Sequence, residues 1–317
     1  MPSFESTIAE IEAQNTDIPS YISDLNSQVF DEVSQENSVF VGAGDSLCSA
    51  MWIERLHNFK PRALDPNDLF RNPVVSQGKV THFISVSGRT KSNIEAATAV
   101  GGIARRKIAL TASPQSLLAK CCSKTIQLKF EKSSGLTPGT NSFTASLLAC
   151  YRIFAKIPEQ INLGQMFSHA KKWAQSQSEN AVAVHFVASG HLFPIAMYGA
   201  AKVFEFTGCK ADYQITEEFS HMNLFSLDKR DLILILRGEQ NDSNALKLAD
   251  ELQDAGYYAQ VLNLTEHASQ PLHIAISGAI HMQHFALNMA LRMGLAQPAF
   301  LENEKLLGIS NKMIYFD

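Results

Sequence analysis

The sequence lacks the features that would staple it covalently or draw it to a charged polymer. Its five cysteines, Cys48, Cys121, Cys122, Cys150 and Cys209, are an odd number at irregular spacings with no paired C-x-x-C frame. That excludes a disulfide scaffold and a zinc ribbon, and most of the five are expected as buried thiols. There is no long basic run, and 27 lysines and arginines against 31 aspartates and glutamates leave a formal charge of −4. The electrostatic footprint of nucleic-acid binding is therefore missing. No uninterrupted apolar stretch approaches the roughly 18 residues of a membrane span. The first residues, MPSFESTIAEIEAQ, are polar and acidic where a signal peptide is basic and then apolar. These absences predict a cytoplasmic protein that engages neither nucleic acid nor membrane. A small anion, if it binds one, must be held by local geometry.

What is present is an ordinary globular composition over 317 residues, 45% hydrophobic and 18% charged, long enough for two domains. Apolar residues at helical spacing over 4–33 break at NTDIPS, where Pro19 predicts the boundary between two helices. Hydrophobic runs SVFVGAG (38–44), KVTHFISVS (79–87), KIALTA (107–112) and KTIQLKF (124–130) then alternate with helical stretches. Such alternation implies a mostly parallel sheet with helices on both faces. After helices over 142–157 and 164–179 the order restarts. NAVAVHFVASGH matches SVFVGAGDS, the run beginning RDLILILRG matches THFISVSGRT, and YYAQVLNL matches RKIALTAS. A period of about 145 residues is too long for a solenoid and suits tandem domains. The predicted fold is α/β, two tandem doubly wound flavodoxin-like domains, over residues 1–160 and 161–317.

Ligands of such sheets bind beyond the carboxyl ends of the strands, where loops meet helix N-termini. ISVSGRT, residues 84–90, is a junction of that kind. Free backbone N–H groups there, with the hydroxyls of Ser85, Ser87 and Thr90, would cradle an anion without a lysine, and Gly88 would let the backbone approach. Ser46, after the first strand, could reach the same point. Serine and threonine before helices also serve as plain caps. The second lobe offers LRGEQNDS at the equivalent place, where Glu239 argues against an anion.

A second informative stretch is PIAMYGAAKVFEFTGCKADYQITEEFSHMN, residues 194–223. Helical spacing sets Tyr198, Lys202 and Glu205 on one stripe, and Phe204 and Phe206 are candidates for an apolar shell around the carboxylate. Lys202 and Glu205 also suit an i,i+3 ion pair with no further role. His221 beside Glu217 and Glu218 can be read simply as a satisfied polar group.

VGAGDS, ISVSGRTKSNIEA and KIALTASPQSLLAKCCSKTIQL together resemble the sugar-isomerase (SIS) domain, in two tandem copies across nearly the whole chain. The resemblance implies a phosphosugar ligand, with Ser46, Ser85, Ser87 and Thr90 on its phosphate and Gly44, Val86, Gly88 and Thr140 as further ligand-binding positions. Residues 194–223 are similar to the isomerase half of glucosamine-6-phosphate synthase and to archaeal phosphoglucose/phosphomannose isomerases. By that similarity Glu205 moves a proton between C1 and C2, Lys202 shares the site, and His221 assists ring opening, often from the second subunit of a homodimer. The tail QPAFLENEKLLGISNKMIYFD resembles the synthase's closing segment, which implies a site role for Lys312.

Departures accompany the resemblance. Arg89 stands where a small or acidic residue is usual. Thr140, Asn141 and Ser142 stand where the archaeal isomerases place an arginine, which weakens a glucose 6-phosphate reading. No glutaminase segment precedes the repeat. An isomerase, an amino-sugar phosphate deaminase or a deglycase acting on a hexose or hexosamine 6-phosphate is expected, without cofactor or metal. His281 and His284 lack an acidic third ligand, and VGAGDS lacks the third glycine of a dinucleotide site. A non-catalytic phosphosugar-binding regulator is the alternative.

Overall fold

A computed structural model describes residues 4–133, 135–177, 181–238, 242–266 and 268–316. The chain divides into two compact units. One comprises Glu12–Lys132, Gly139–Gln160 and Glu304–Asp317; the other comprises Met1–Ile11, Ser133–Pro138 and Ile161–Asn303.

The chain opens with α1 (Phe4–Ser27), which runs unbroken through Pro19. The expected boundary between two helices at NTDIPS is therefore corrected. Proline removes one backbone bond and crowds the preceding turn, but Asn15 and Pro19 are both exposed, so the carbonyl left unbonded can be hydrated. Ile18, Tyr21, Ile22 and Leu25 are all buried, an i, i+3, i+4, i+7 stripe that holds the helix down.

The first unit continues as β1 (Ser38–Val41), α2 (Asp45–Leu56), β2 (Arg62–Leu64), α3 (Pro66–Arg71), β3 (Val80–Ile84), α4 (Lys91–Ala99), β4 (Arg106–Thr111), α5 (Leu117–Cys121), β5 (Lys124–Gln127) and α6 (Asn141–Arg152). Its described strands form one sheet in the order β2-β1-β3-β4-β5, and every pairing is parallel. This is the 2-1-3-4-5 order of flavodoxin-like folds. All residues of β1 and β3 are buried, as strands covered on both faces must be. Val39, Val41, Phe83, Ile94, Ala97 and Leu118 anchor the core beneath, each large aliphatic contributing about 1.5–3 kcal/mol by burial.

The second unit holds α7 (Leu163–Ser176), β6 (Ala183–Ala188), α8 (Phe193–Thr207), β7 (Lys210–Gln214), α9 (Thr216–His221), β8 (Leu232–Arg237), α10 (Ser243–Asp254), β9 (Tyr258–Asn263), α11 (Pro271–Arg292) and α12 (Ala299–Glu302). Its sheet is parallel in the order β7-β6-β8-β9. The strands matched by sequence, β1 with β6, β3 with β8 and β4 with β9, occupy equivalent places, so the internal repeat is a repeat of topology. α11 is buried on almost every side and packs on α7 and α8. The last helix, α13 (Glu304–Ile314), groups with the five-stranded unit.

Among the cysteines only Cys48 and Cys150 are fully buried; Cys121, Cys122 and Cys209 are half-buried, and all five are free. The expectation that most are buried is corrected accordingly. No helix among the described residues is long and apolar enough to cross a membrane.

Candidate active site

Parallel pairing of Val41 with Phe83 places the ends of β1 and β3 side by side. The turns that follow, 42–46 and 85–90, therefore share one edge of the five-stranded sheet. In the first, a Cβ on Gly42 would fall 2.7 Å from the backbone of Ser46, so α2 can start this close to its strand only past a glycine. Gly44 is the N-cap residue with φ +58, and no side chain caps the helix. Ser46 follows in the first turn, buried.

In the second turn, the Ser85 and Thr90 hydroxyls lie 3.0 Å apart. Gly88 N–H donates to Ser85 Oγ at 3.2 Å, and Arg89 N–H donates to Ser87 Oγ at 3.2 Å. Gly88 has φ +63, and a Cβ there would sit 2.1 Å from Ser116 Oγ, so no other residue fits. Thr111 Oγ1 donates to the Val86 carbonyl at 3.1 Å, tying the turn to β4. Thr90 occupies the N-cap position of α4, yet its side chain makes no capping bond. The plain-cap reading fails here, because the hydroxyl faces Ser85. Two uncapped helix starts, α2 and α4, thus flank a cluster of hydroxyls, the arrangement that attracts an anion.

Thr140 is fully buried at the uncapped start of α6. Arg89 lies over the Tyr315 ring at 5.1 Å, and Lys91 lies over the Phe316 ring at 5.5 Å. The departure at Arg89 is therefore taken up by the C-terminal segment. Lys312 is exposed on the last turn of α13.

In the four-stranded unit α8 forms the expected stripe. Lys202 is fully buried, its Nζ 2.5 Å from Glu205 Oε2 and 4.9 Å from the Tyr198 ring centre. Tyr198 Oη accepts from Gln283 Nε2 at 3.0 Å. Burying an ammonium costs several kcal/mol unless a counter-charge is at hand, and Glu205, 35% exposed, supplies it. The pair fixes one oxygen of a partly exposed carboxylate. The apolar shell needs a correction: Phe206 is buried and stacks on Phe4 at 6.2 Å, whereas Phe204 is 47% exposed. Successive helix positions lie about 100° apart, so both phenylalanines cannot flank Glu205 inwardly.

His221 ends α9 with its side chain 70% exposed, Nε2 3.1 Å from Glu217 Oε1. The structure thus joins Lys202 with Glu205, and Ser85 with Thr90 and Gly88, while His221 turns to Glu217. In the same unit His185 is held between two carboxylates, Nδ1 2.9 Å from Asp212 and Nε2 3.2 Å from Asp231. Burial alone would lower its pKa, but the hydrogen bonds and charges of Asp212 and then Asp231 raise it above the ordinary 6.5.

The counterpart of the cradle in this unit is a cavity of about 300 Å3 lined by Ser189, His191, Asp242 and Asn244 among others. Asp242 caps α10 with its own carboxylate, accepting from Ala245 N–H at 3.1 Å, so this helix start already carries an anion. Glu239 lies outside the described residues. His281 is occupied by the Ser277 carbonyl at 2.7 Å and by His169 at 2.8 Å. His284 packs on Phe167, and burial pushes its pKa down to about 4. Among the described residues no group of three or more metal-binding side chains occurs.

Sequence reading missed Gly42, Ser116 and Asp45. The glycine of G-x-G hinted at the first, and the SPQS start of α5 hinted at the second, where Ser116 caps Ala119 N–H at 3.3 Å.

Residues 179–293 match the family model described as SIS domain. No curated protein matches the sequence. Among solved structures, glucosamine-6-phosphate deaminase from Thermotoga maritima superposes with a TM-score of 0.78 at 17% identity, over 92% of this chain and 96% of that one. The C-terminal domain of glucosamine-fructose-6-phosphate aminotransferase from Francisella tularensis gives 0.72 at 19% identity, over 92% and 98%. Tagatose-6-phosphate ketose/aldose isomerase from Escherichia coli gives 0.68 at 18% identity, over 90% and 89%. At such identities the likeness establishes fold. The SIS-domain match thus lies in the four-stranded unit, and the chain as a whole shares its fold with these solved structures.

Proposed function

We propose that this protein is a phosphosugar enzyme that moves a proton between C1 and C2 of a hexose or hexosamine 6-phosphate, as an isomerase, an amino-sugar phosphate deaminase or a deglycase. The observation that carries the catalytic reading is the fully buried Lys202 whose ammonium meets Glu205. A sensor needs only an anion cradle, and a lysine buried to hold one carboxylate has a cost that binding phosphate does not explain. The solved proteins of the same fold, a deaminase, an aminotransferase domain and a ketose/aldose isomerase, support the substrate class.

In this reading Ser46, Ser85, Ser87 and Thr90, with the backbone N–H groups at the start of α4, hold the phosphate, and Gly44, Val86, Gly88 and Thr140 shape the backbone around it. Glu205 removes the proton from C2 of the open-chain sugar and returns it to C1, while the oxygens exchange theirs, so the aldose becomes a ketose. With an amine on C2 the same transfer yields a 2-imine, which water cleaves to ketose and ammonia. Lys202 orients Glu205 for the first step, as a general base must be held. His221, exposed and unattached to the Lys202–Glu205 pair by any described bond, assists ring opening across a homodimer, and Lys312 closes on the sugar. A chain that turns over substrate as a monomer in sedimentation would remove the dimer from this scheme.

The test is a panel of hexose, hexosamine and fructosyl-amine 6-phosphates followed for both product sugar and released ammonia. Turnover of at least one member is expected. Binding of phosphosugars with turnover of none would convert the reading to that of a phosphosugar-binding regulator.

A further inference from the structure

Asp17, on α1, bonds to both ends of the loop between β5 and α6. Its Oδ2 accepts the backbone N–H of Glu131 at 2.6 Å and the side-chain Nδ2–H of Asn141 at 2.5 Å. One carboxylate oxygen thereby joins two points ten residues apart in sequence. The same helix is laced to the chain entering the loop, where Tyr21 Oη donates to the Gln127 carbonyl at 2.8 Å and Lys129 Nζ donates to Asp24 Oδ1 at 2.5 Å. It is laced also to the helix leaving the loop, where Thr144 Oγ1 donates to Gln14 Oε1 at 2.6 Å.

The exit of this loop abuts the candidate phosphate site. A Cβ on Gly139 would fall 2.2 Å from Asp45 Oδ2, so the backbone at 139 lies against the first turn of α2, next to Gly44 and Ser46. Thr140, fully buried, follows, and then Asn141, the residue that Asp17 holds. No side chain caps the start of α6. Hydrogen bonds to a charged acceptor are the stronger kind, each worth about tenfold or more in the equilibrium between a held and a released segment.

We infer that Asp17 is a positioning residue for phosphate binding: it holds the Gly139–Asn141 segment against the α2 start so that Ser46 and Thr140 are set before the ligand arrives. This rests on the reading of the cradle as a phosphosugar site. Asp17 touches no reacting atom, and its effect passes through Asn141 and Glu131.

The test uses the full chain as wild type, Asp17→Ala and Asp17→Asn, with fructose 6-phosphate as probe in calorimetry and hydrogen exchange on the ligand-free proteins. Asp17→Ala is expected to speed exchange across residues 129–143 by about tenfold while β1 and β3 stay protected, and to weaken fructose 6-phosphate by about tenfold. Asp17→Asn, which keeps one acceptor oxygen, should fall between. Unchanged exchange, or faster exchange with unchanged affinity, would overturn the role. If Asp17→Ala loses protection throughout, Asn141→Ala removes one of the two bonds and is read the same way. Failure of the wild type to bind any phosphosugar would bring down the functional reading; binding equal in wild type and variant would bring down the role of Asp17 alone.

Discussion

Gly88 shows how much of the candidate site depends on a single atom's absence. Its φ of +63 lies in the left-handed region, and the space a Cβ would need is filled by Ser116 Oγ at 2.1 Å. Replacing it with alanine should cost about 1–3 kcal/mol from backbone strain and overpacking, with loss of phosphosugar affinity larger than that stability change alone would give. A thermal melt beside a fructose 6-phosphate titration checks this, and an unperturbed affinity would mean that the turn is not a ligand site. Lys202 and Glu205 were legible as a stripe, since helical spacing fixes which residues share a face. Spacing did not separate a structural pair from a poised base; what the structure adds is the depth of Lys202. Phe204 misled for a related reason, because adjacency in sequence on a helix is divergence in space.

At the level of elements, most strands were readable because a parallel sheet buried on both faces writes continuous apolar runs, as in SVFV and LILILR. The short β2 and β7, whose residues are exposed or half-buried, carry no such run and escaped notice. Pro19 was overread as a breaker, because local sequence does not show which side of a helix faces water. His185 joins three strands in one bond set, through Asp212 on β7 and Asp231 before β8. Both ring nitrogens face carboxylates, so the imidazolium is the form that satisfies both. Its folded pKa is raised above the unfolded value near 6.5, so the stability it adds is complete below that value and is lost as pH rises through the folded pKa. The melting-temperature advantage of wild type over His185→Gln should therefore shrink on going from pH 6 to pH 9. An advantage that is flat or grows with pH would contradict a charged His185.

Across the whole molecule, two units of one topology have diverged at equivalent strand ends. In the five-stranded unit the starts of α2 and α4 are left uncapped beside hydroxyls. In the other unit Asp242 fills the start of α10. The tandem repeat and the fold class could be read from the chain, and the asymmetry between the lobes was signalled by the serines of ISVSGRT. The grouping of α13 with the five-stranded unit could not be read, because the aromatic residues that follow it, Tyr315 and Phe316, reveal their partners Arg89 and Lys91 only in three dimensions. The central claim is that Glu205 performs proton transfer on a sugar held elsewhere by its phosphate. Its most direct test is Glu205→Gln, assayed for turnover of the best member of the phosphosugar panel and, in parallel, for affinity toward the same compound. Turnover should vanish while the dissociation constant stays within about threefold; retained turnover, or affinity lost together with it, would contradict the assignment.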